Sequence, residues 1–186
     1  LAGTEMTQQN SNHPPGAQRT IWLDEAGRLQ TFDQTQLPAQ AEVIELATPA
    51  ACAHAIATMQ VRGAPLIGAV GAYGLALAMR EDASNSHLTR AFKILLSTRP
   101  TAVNLRWAME RVNDAIKPLP NSERADAAWR EAGRICDDDV ACNYRIGEHG
   151  LSAFEAVMPH GRPLQVLTHC NAGRIATVAY GTALAP

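Results

Sequence analysis

The segment 66–79 carries three glycines at intervals of three within an apolar run, and this pattern constrains the fold more than any other feature of the chain. A helix from about Leu66 to Met79 would place Gly68, Gly71 and Gly74 on a stripe without side chains, on which another backbone can pack closely. The stripe is not a GxGxxG motif and follows no predicted strand, so it does not indicate a dinucleotide site. We therefore predict a helix that packs tightly against a neighbour.

Further helices are predicted on both sides of this one, because apolar residues recur at helical spacing and polar caps or prolines separate the runs. In chain order, these helices run from Thr48 to the break at Arg62–Pro65, over about 87–96, from about Thr101 to Ile116, from Ser122 to His149 with an interruption at Asp137–Asp139, and from Gly150 to Val157.

The two ends of the chain have different patterns. Residues 1–18 are polar and aperiodic and predict a disordered or tag-like leader. Residues 19–160 predict a mainly helical domain that begins with a β-hairpin around Asp24–Gly27. From residue 161 the strand-like "LQVLTH" and a following helix predict the start of a Rossmann-like domain, so the overall class is α/β. Because parallel strands need neighbours, the chain is expected to be the front half of something larger.

Composition excludes several classes of function. A net charge of −2, from 16 basic and 18 acidic residues without a basic block, argues against nucleic acid as a partner. The apolar runs are shorter than the roughly 20 residues of a membrane span. The four cysteines form no CxxC pair and no zinc-like spacing, which is typical of free thiols. We expect a soluble, cytoplasmic protein.

Three of the cysteines and the acidic triplet have simple structural interpretations. Cys52, Cys136 and Cys142 are predicted to fill the core, since a free cysteine behaves as a small hydrophobe. Asp137–Asp139 invite a metal hypothesis, but successive helical residues point in different directions and cannot converge on one ion. A solvated helix face is the preferred interpretation of the triplet.

The fourth cysteine lies in "HCNAGR", between the predicted strand and the predicted helix of the Rossmann-like unit. Ligands bind beyond the carboxyl ends of strands in such sheets, and a thiol near a helix N-terminus has a lowered pKa. Cys170 is therefore a candidate for acid–base or nucleophilic chemistry, with a buried structural cysteine as the alternative. Gly173 would let a ligand approach closely, and Asn171 can donate or accept without carrying charge. His169 is predicted to be structural, because neighbours on a strand point to opposite faces.

Two arginines are candidates for a phosphate site. Arg62 precedes Gly63 and Arg99 precedes Pro100, each in a tight connection between helices. A stiff backbone suits a bidentate grip on phosphate. For each arginine the alternative is a surface side chain that caps the preceding helix.

Four longer motifs and one shorter one carry a resemblance to a known family. The motifs are "VRGAPLIGAVGAYGLALA" (61–78), "STRPTAVNLRWAM" (97–109), "YRIGEHG" (144–150), "LTHCNAGRIATVAYGTALA" (167–185) and the smaller "FDQTQLP" (32–38). In this order they resemble the N-terminal half of the methylthioribose-1-phosphate isomerases. That family is related to ribose-1,5-bisphosphate isomerases and to regulatory subunits of initiation factor 2B.

The resemblance implies an aldose–ketose isomerase that converts 5-methylthioribose 1-phosphate to 5-methylthioribulose 1-phosphate in methionine salvage. It implies a catalytic Cys170, no metal or organic cofactor, and a homodimer. It also implies an aspartate beyond residue 186 as the second acid–base group, so residues 1–186 alone are expected to be inactive. The residues that would bind the sugar phosphate are Arg62, Gly63, Ala64, Arg99, Asn171, Ala172 and Gly173.

Two other functions stay open at this point. A ribose-1,5-bisphosphate isomerase would share the phosphate end but needs a second basic site. A non-catalytic regulatory subunit could use the same fold to bind a sugar phosphate or nucleotide and a partner protein. Retention of Cys170 together with Arg62 and Arg99 favours catalysis, since a binding module has no need of the thiol.

Overall fold

The computed structural model describes residues 18–158 and 162–186, and the predicted leader and the predicted domain boundary near residue 160 lie largely outside them. The described chain is a helical layer with a small antiparallel sheet. The elements, in chain order, are β1 (Ile21–Leu23), β2 (Leu29–Phe32), β3 (Val43–Glu45), α1 (Pro49–Ala57), α2 (Ala64–Glu81), α3 (Asn85–Thr98), α4 (Val103–Ile116) and α5 (Asn121–Val157).

The predicted hairpin is confirmed and gains a third strand. β1 and β2 pair antiparallel with Ile21 opposite Thr31, and β3 pairs with β2 on its other edge. The Asp24 carboxylate closes the β1–β2 turn by accepting the backbone N–H groups of Ala26 and Arg28 at 3.0 and 2.9 Å. β3 was not predicted from the sequence, because three residues with exposed ends give no readable alternation.

The glycine-bearing helix is the centre of the structure. α2 packs against α1, α3, α4 and α5, and every residue from Leu66 to Met79 is buried. A Cβ on Gly68 would lie 2.9 Å from the Asn104 carbonyl oxygen of α4, and one on Gly74 would lie 3.0 Å from Cys52 Cβ of α1. The prediction of close backbone packing along this stripe is therefore confirmed.

The helix boundaries follow local chemistry with one main correction. Thr48 caps α1 as predicted, and its hydroxyl oxygen accepts the Ala51 N–H at 3.0 Å. α5 is a single helix of 37 residues, so the predicted interruption at Asp137–Asp139 and the separate helix from Gly150 are wrong. The helix continues through the triplet because each carboxylate has a different partner, which disperses the repulsion between the three charges.

The C-terminal segment also differs from the prediction. Residues 163–169 form no strand, and the predicted helix is reduced to a 3-10 turn at Arg174–Ala176. The described residues offer no parallel neighbour to pair with this segment, and Leu167 is 98% exposed. After the turn the backbone bonds to other elements instead: Thr20 N–H donates to the Val178 carbonyl at 2.8 Å, and Val178 N–H donates to the Asp139 carboxylate at 2.7 Å.

The far end of this segment lies along α5. A Cβ on Gly147 would lie 2.9 Å from the Ala185 carbonyl oxygen, and one on Gly150 would lie 3.0 Å from Pro186 Cβ. The two glycines of "YRIGEHG" thus let residues 185 and 186 approach the helix backbone. No helix in the described part of the chain has the length and apolar character needed to cross a membrane.

Candidate functional site

The turn before α2 and the segment after Cys170 are in direct contact. Gly63 has φ +103°, and a Cβ built on it would lie 2.6 Å from Ala176 Cβ and closer still to the Ala176 backbone. Only a residue without a side chain fits this close approach. The structure therefore brings the predicted phosphate-binding turn, Arg62–Ala64, against the segment that follows Asn171–Gly173.

A third motif holds these two segments together. Gln34, in the loop after β2, is buried, and its side-chain amide Nε2 donates to the Arg62 carbonyl at 3.3 Å and to the Ile175 carbonyl at 2.7 Å. Sequence reasoning assigned Gln34 no role, although "FDQTQLP" was among the motifs of the resemblance. The motif could have pointed to Gln34, and the two hydrogen bonds explain why a glutamine is needed at this position.

The two arginines lie at one end of a helix pair. Arg62 is exposed, two residues before α2, and Arg99 is half-buried at the C-cap of α3, four residues before α4. Gly68 in the second turn of α2 meets Asn104 in the first turn of α4, so both turns enter from the same end of the pair. The Arg99 carbonyl accepts the Ala102 N–H at 3.0 Å, and this bond stiffens the connection between α3 and α4 that carries Arg99.

Cys170 lies in an exposed loop and not at a helix N-terminus. The 3-10 turn begins only at Arg174, so the expected helix-end environment of the thiol is not present in these residues. The backbone of Cys170 has φ +75°, a left-handed conformation that a non-glycine residue rarely adopts. His169 is likewise exposed.

The loop after the thiol contains a buried donor, the Asn171 side-chain nitrogen Nδ2. Within residues 18–158 and 162–186 this nitrogen has no hydrogen-bond acceptor. Ala172 is half-buried, and Gly173 is buried with φ +92°, a conformation that favours glycine. An unpaired amide N–H beside the thiol loop is free to donate to an oxygen of a bound molecule.

The other cysteines separate into two groups. Cys52 and Cys136 are buried as predicted, and burial raises the pKa of each thiol to about 12, so neither is a nucleophile at neutral pH. Cys142 is exposed, and its predicted core role is wrong, because it lies outside the buried face of α5 that carries Cys136, Val140 and Asn143.

The acidic triplet is neither a metal centre nor a purely solvated face. Asp137 accepts from Arg19 and Asp138 from Arg111, each at 2.7 Å, while Asp139 is half-buried. Burial raises the pKa of Asp139, although hydrogen bonds from Val178 N–H and Asn143 partly offset it. Across residues 18–158 and 162–186, no group of three His, Cys, Asp or Glu side chains is arranged to hold a metal ion.

Comparisons with known proteins agree with this arrangement of motifs. The sequence model of the Initiation factor 2 subunit family matches residues 60–184. A methylthioribose-1-phosphate isomerase from Acidiphilium cryptum is 55% identical over 170 residues, covering 90% of this chain and 46% of the relative. One from Rhodospirillum rubrum is 53% identical over 176 residues, covering 90% and 45%. The chain thus spans about half the length of the curated relatives that it matches.

Two solved structures share the fold. The 5-methylthioribose 1-phosphate isomerase from Pyrococcus horikoshii OT3 superposes with a TM-score of 0.76 at 36% identity, covering 89% of this chain and 48% of that chain. The initiation factor eIF-2B subunit delta from A. fulgidus gives a TM-score of 0.75 at 43% identity, with coverages of 89% and 48%.

Proposed function

Because the chain belongs to the Initiation factor 2 subunit family, we propose that it is the N-terminal part of an isomerase that converts 5-methylthioribose 1-phosphate to 5-methylthioribulose 1-phosphate. The observation that carries the proposal is the contact between Gly63 and Ala176, which joins the Arg62 turn to the segment that follows Cys170. A phosphate-binding turn and a thiol on adjoining segments are what a sugar phosphate isomerase needs.

The reaction defines what these residues have to do. Phosphate on the anomeric oxygen prevents ring opening by simple hemiacetal chemistry, so the bond between C1 and the ring oxygen must break as that oxygen gains a proton. The hydrogen on C2 moves to C1, and the C2 hydroxyl loses its proton to become the ketone. One acid and one base complete this balance, and a site that excludes water favours both transfers.

We assign the thiol of Cys170 to one of the two proton transfers. Its left-handed backbone supports this assignment, since strained residues that persist in a fold cluster at functional sites. Arg62 and Arg99 would hold the phosphate, and Gly63 and Ala64 would shape its pocket. The second acid–base residue would come from a Rossmann-like domain after residue 163.

The Asn171 loop would complete the sugar-binding wall. The buried Asn171 Nδ2, which bonds to none of the residues that the structure describes, is suited to donate to a hydroxyl or phosphate oxygen of the substrate. Ala172 and Gly173 leave room for the sugar because neither carries a bulky side chain. The whole protein would act in the cytoplasm as a homodimer, without nucleic acid or membrane partners.

The experiment is phosphorus NMR of 5-methylthioribose 1-phosphate incubated with the full-length protein that contains this chain. Replacement of the aldose phosphate signal by that of the ketose phosphate is the expected result. Cys170→Ala should abolish turnover while binding of inorganic phosphate survives, and Cys142→Ala is the matched control because it removes another exposed thiol. Retained turnover in Cys170→Ala would remove the thiol from the mechanism.

A regulatory function is the second candidate, because one structure of the same fold, at 43% identity, is an initiation factor eIF-2B subunit. It predicts phosphate binding without any change in the NMR signal of the sugar phosphate. A ribose-1,5-bisphosphate isomerase would instead act on the bisphosphate and leave the methylthio sugar unchanged. The same NMR experiment with both sugars separates the three functions.

A further inference from the structure

The side chain of Gln34 connects the two halves of the candidate site. It is only 5% exposed, and its Nε2 reaches the carbonyl oxygens of Arg62 and Ile175 at 3.3 and 2.7 Å. These carbonyls lie 113 residues apart in the chain (175 minus 62), on the turn before α2 and on the 3-10 turn after the thiol loop. A single amide group therefore spans the junction between the two segments.

The chemistry of the partners determines how this amide is oriented. Both partners are backbone carbonyls, which can only accept, so the NH₂ end must face them and both of its hydrogens are used. The amide oxygen Oε1 then points away, and it is buried with no hydrogen-bond donor among the described residues. A buried acceptor without a donor lowers stability, so this orientation is kept because the two carbonyls require the NH₂ group.

The loop that presents Gln34 is itself held in place. The Gln34 N–H donates to the Gln60 carbonyl at 2.9 Å, and the Gln60 side-chain amide donates to the Asp33 carboxylate at 2.7 Å. Asp33 also accepts from the N–H and the hydroxyl of Thr35 at 2.9 and 2.6 Å. The backbone of Gln34 is therefore held in place by hydrogen bonds of its own N–H and of its loop, independently of the bonds that its side chain makes to Arg62 and Ile175.

We propose that Gln34 is a positioning residue that sets the separation between the Arg62 turn and the Asn171–Gly173 loop. The inference rests on the proposed function, because this separation matters for catalysis only if Arg62 and Cys170 act on one substrate. Gln34 touches neither group directly and works through the backbone of Arg62 and Ile175. Displacement of reacting groups by about 1 Å can lower a rate on the order of 100-fold.

The first test uses the full-length protein with Gln34→Glu and Gln34→Met. Gln34→Glu places a carboxylate against two carbonyl oxygens, and Gln34→Met keeps the length but removes both donors. Gln36→Glu is the matched control, since Gln36 is an exposed residue of the same loop and its side-chain amide donates to the neighbouring Thr35 hydroxyl rather than to either segment of the site. We expect kcat/KM to fall about 10- to 100-fold in both Gln34 variants and by less than about twofold in the control.

The pH profile separates positioning from a general loss of stability. As the pH falls, the introduced carboxyl of Gln34→Glu gains a proton and can donate to one carbonyl, so its kcat/KM relative to the parent protein should recover. Gln34→Met should show no such recovery. Variants that unfold at a lower temperature but keep the parent kcat/KM well below that temperature would overturn the proposal.

A second readout does not depend on activity. Amide hydrogen exchange at Ala176 and Thr177, which donate to the carbonyls of Gly173 and Arg174, should be about tenfold faster in Gln34→Met and unchanged in Gln36→Glu. If the parent protein does not isomerise the sugar, the proposed function fails, while faster exchange still supports the bridging role of Gln34. Unchanged exchange in Gln34→Met would overturn that role whether or not the protein is an isomerase.

Discussion

Replacing Gly63 by alanine tests the contact on which the candidate site depends. The new Cβ would lie 2.6 Å from Ala176 Cβ and closer to the Ala176 backbone, where no flexible side-chain end can yield. The residue would also keep φ near +103°, which L side chains rarely adopt. We expect Gly63→Ala to destabilise the fold and to force the Arg62 turn away from the segment after the thiol loop.

The magnitude has two parts. A non-glycine residue in such a backbone conformation costs roughly 1–3 kcal/mol. Overpacking against a neighbour that cannot move aside costs about 1–3 kcal/mol more. The free energy of unfolding should therefore fall by about 2–6 kcal/mol, which is a large part of the stability of a typical domain.

Gly27→Ala is the matched control for the contact. Gly27 has φ +75°, but a Cβ on it would meet nothing within 4 Å, so this variant carries backbone strain alone. Urea unfolding of both variants of the full-length protein gives the additional cost of the substitution at Gly63, to which the contact with Ala176 should contribute about 1–3 kcal/mol. A Gly63→Ala variant no less stable than Gly27→Ala would refute the contact with Ala176, and with it the assembled site.

Two further predictions concern charged groups that hold the C-terminal segment and the helices. Because burial raises the pKa of Asp139 above its ordinary value of 3.8, the folded state binds a proton more tightly than the unfolded state, and stability falls as pH rises through the raised value. Asp139→Asn keeps an acceptor for the Val178 N–H and should remove this pH dependence, as measured by urea unfolding between about pH 4 and pH 8. If the free energy of unfolding of the variant changed with pH as in the parent protein, Asp139 would not be the group responsible. Arg111→Met removes the 2.6 Å ion pair with the nearly buried Glu131 and the 2.7 Å pair with the exposed Asp138, and should cost about 1–3 kcal/mol, mostly from Glu131. Arg106→Met, on the exposed side of the same helix, should cost less than about 0.5 kcal/mol. Equal effects of the two arginine substitutions in thermal unfolding would show that the Glu131 pair does not stabilise the α4–α5 contact.

Much of the helical layer could be predicted from local signals. The Thr48–Pro49 pair marked the start of α1, and the glycine stripe marked the face of α2 that other helices approach. Apolar residues at helical spacing gave α4, where Leu105 and Met109 are buried as expected. Such signals are readable because a side chain's position around a helix depends only on its place in the sequence.

The errors occur where the outcome depends on distant partners. The Asp137–Asp139 triplet was expected to interrupt a helix, but α5 continues through it because Arg19, Arg111 and the Val178 N–H each pair with a different carboxylate. No local pattern reveals these partners. The strand predicted over "LQVLTH" failed for the related reason that a strand exists only when another strand bonds to it.

The candidate site shows the same division. The candidate residues could be chosen from the sequence, since an arginine beside a glycine suits a phosphate site and a thiol suits acid–base chemistry, although each residue also had a structural alternative. Only the tertiary structure decided that Gly63 lies against Ala176 and that Gln34 bonds to both sides of this contact. The sequence by itself determined where most of the helices of the layer lie and which of their faces are apolar, because these features follow from each residue's own side chain and its near neighbours. The folded chain decided which distant backbone groups share a hydrogen bond, because that choice is made by packing among all of its elements.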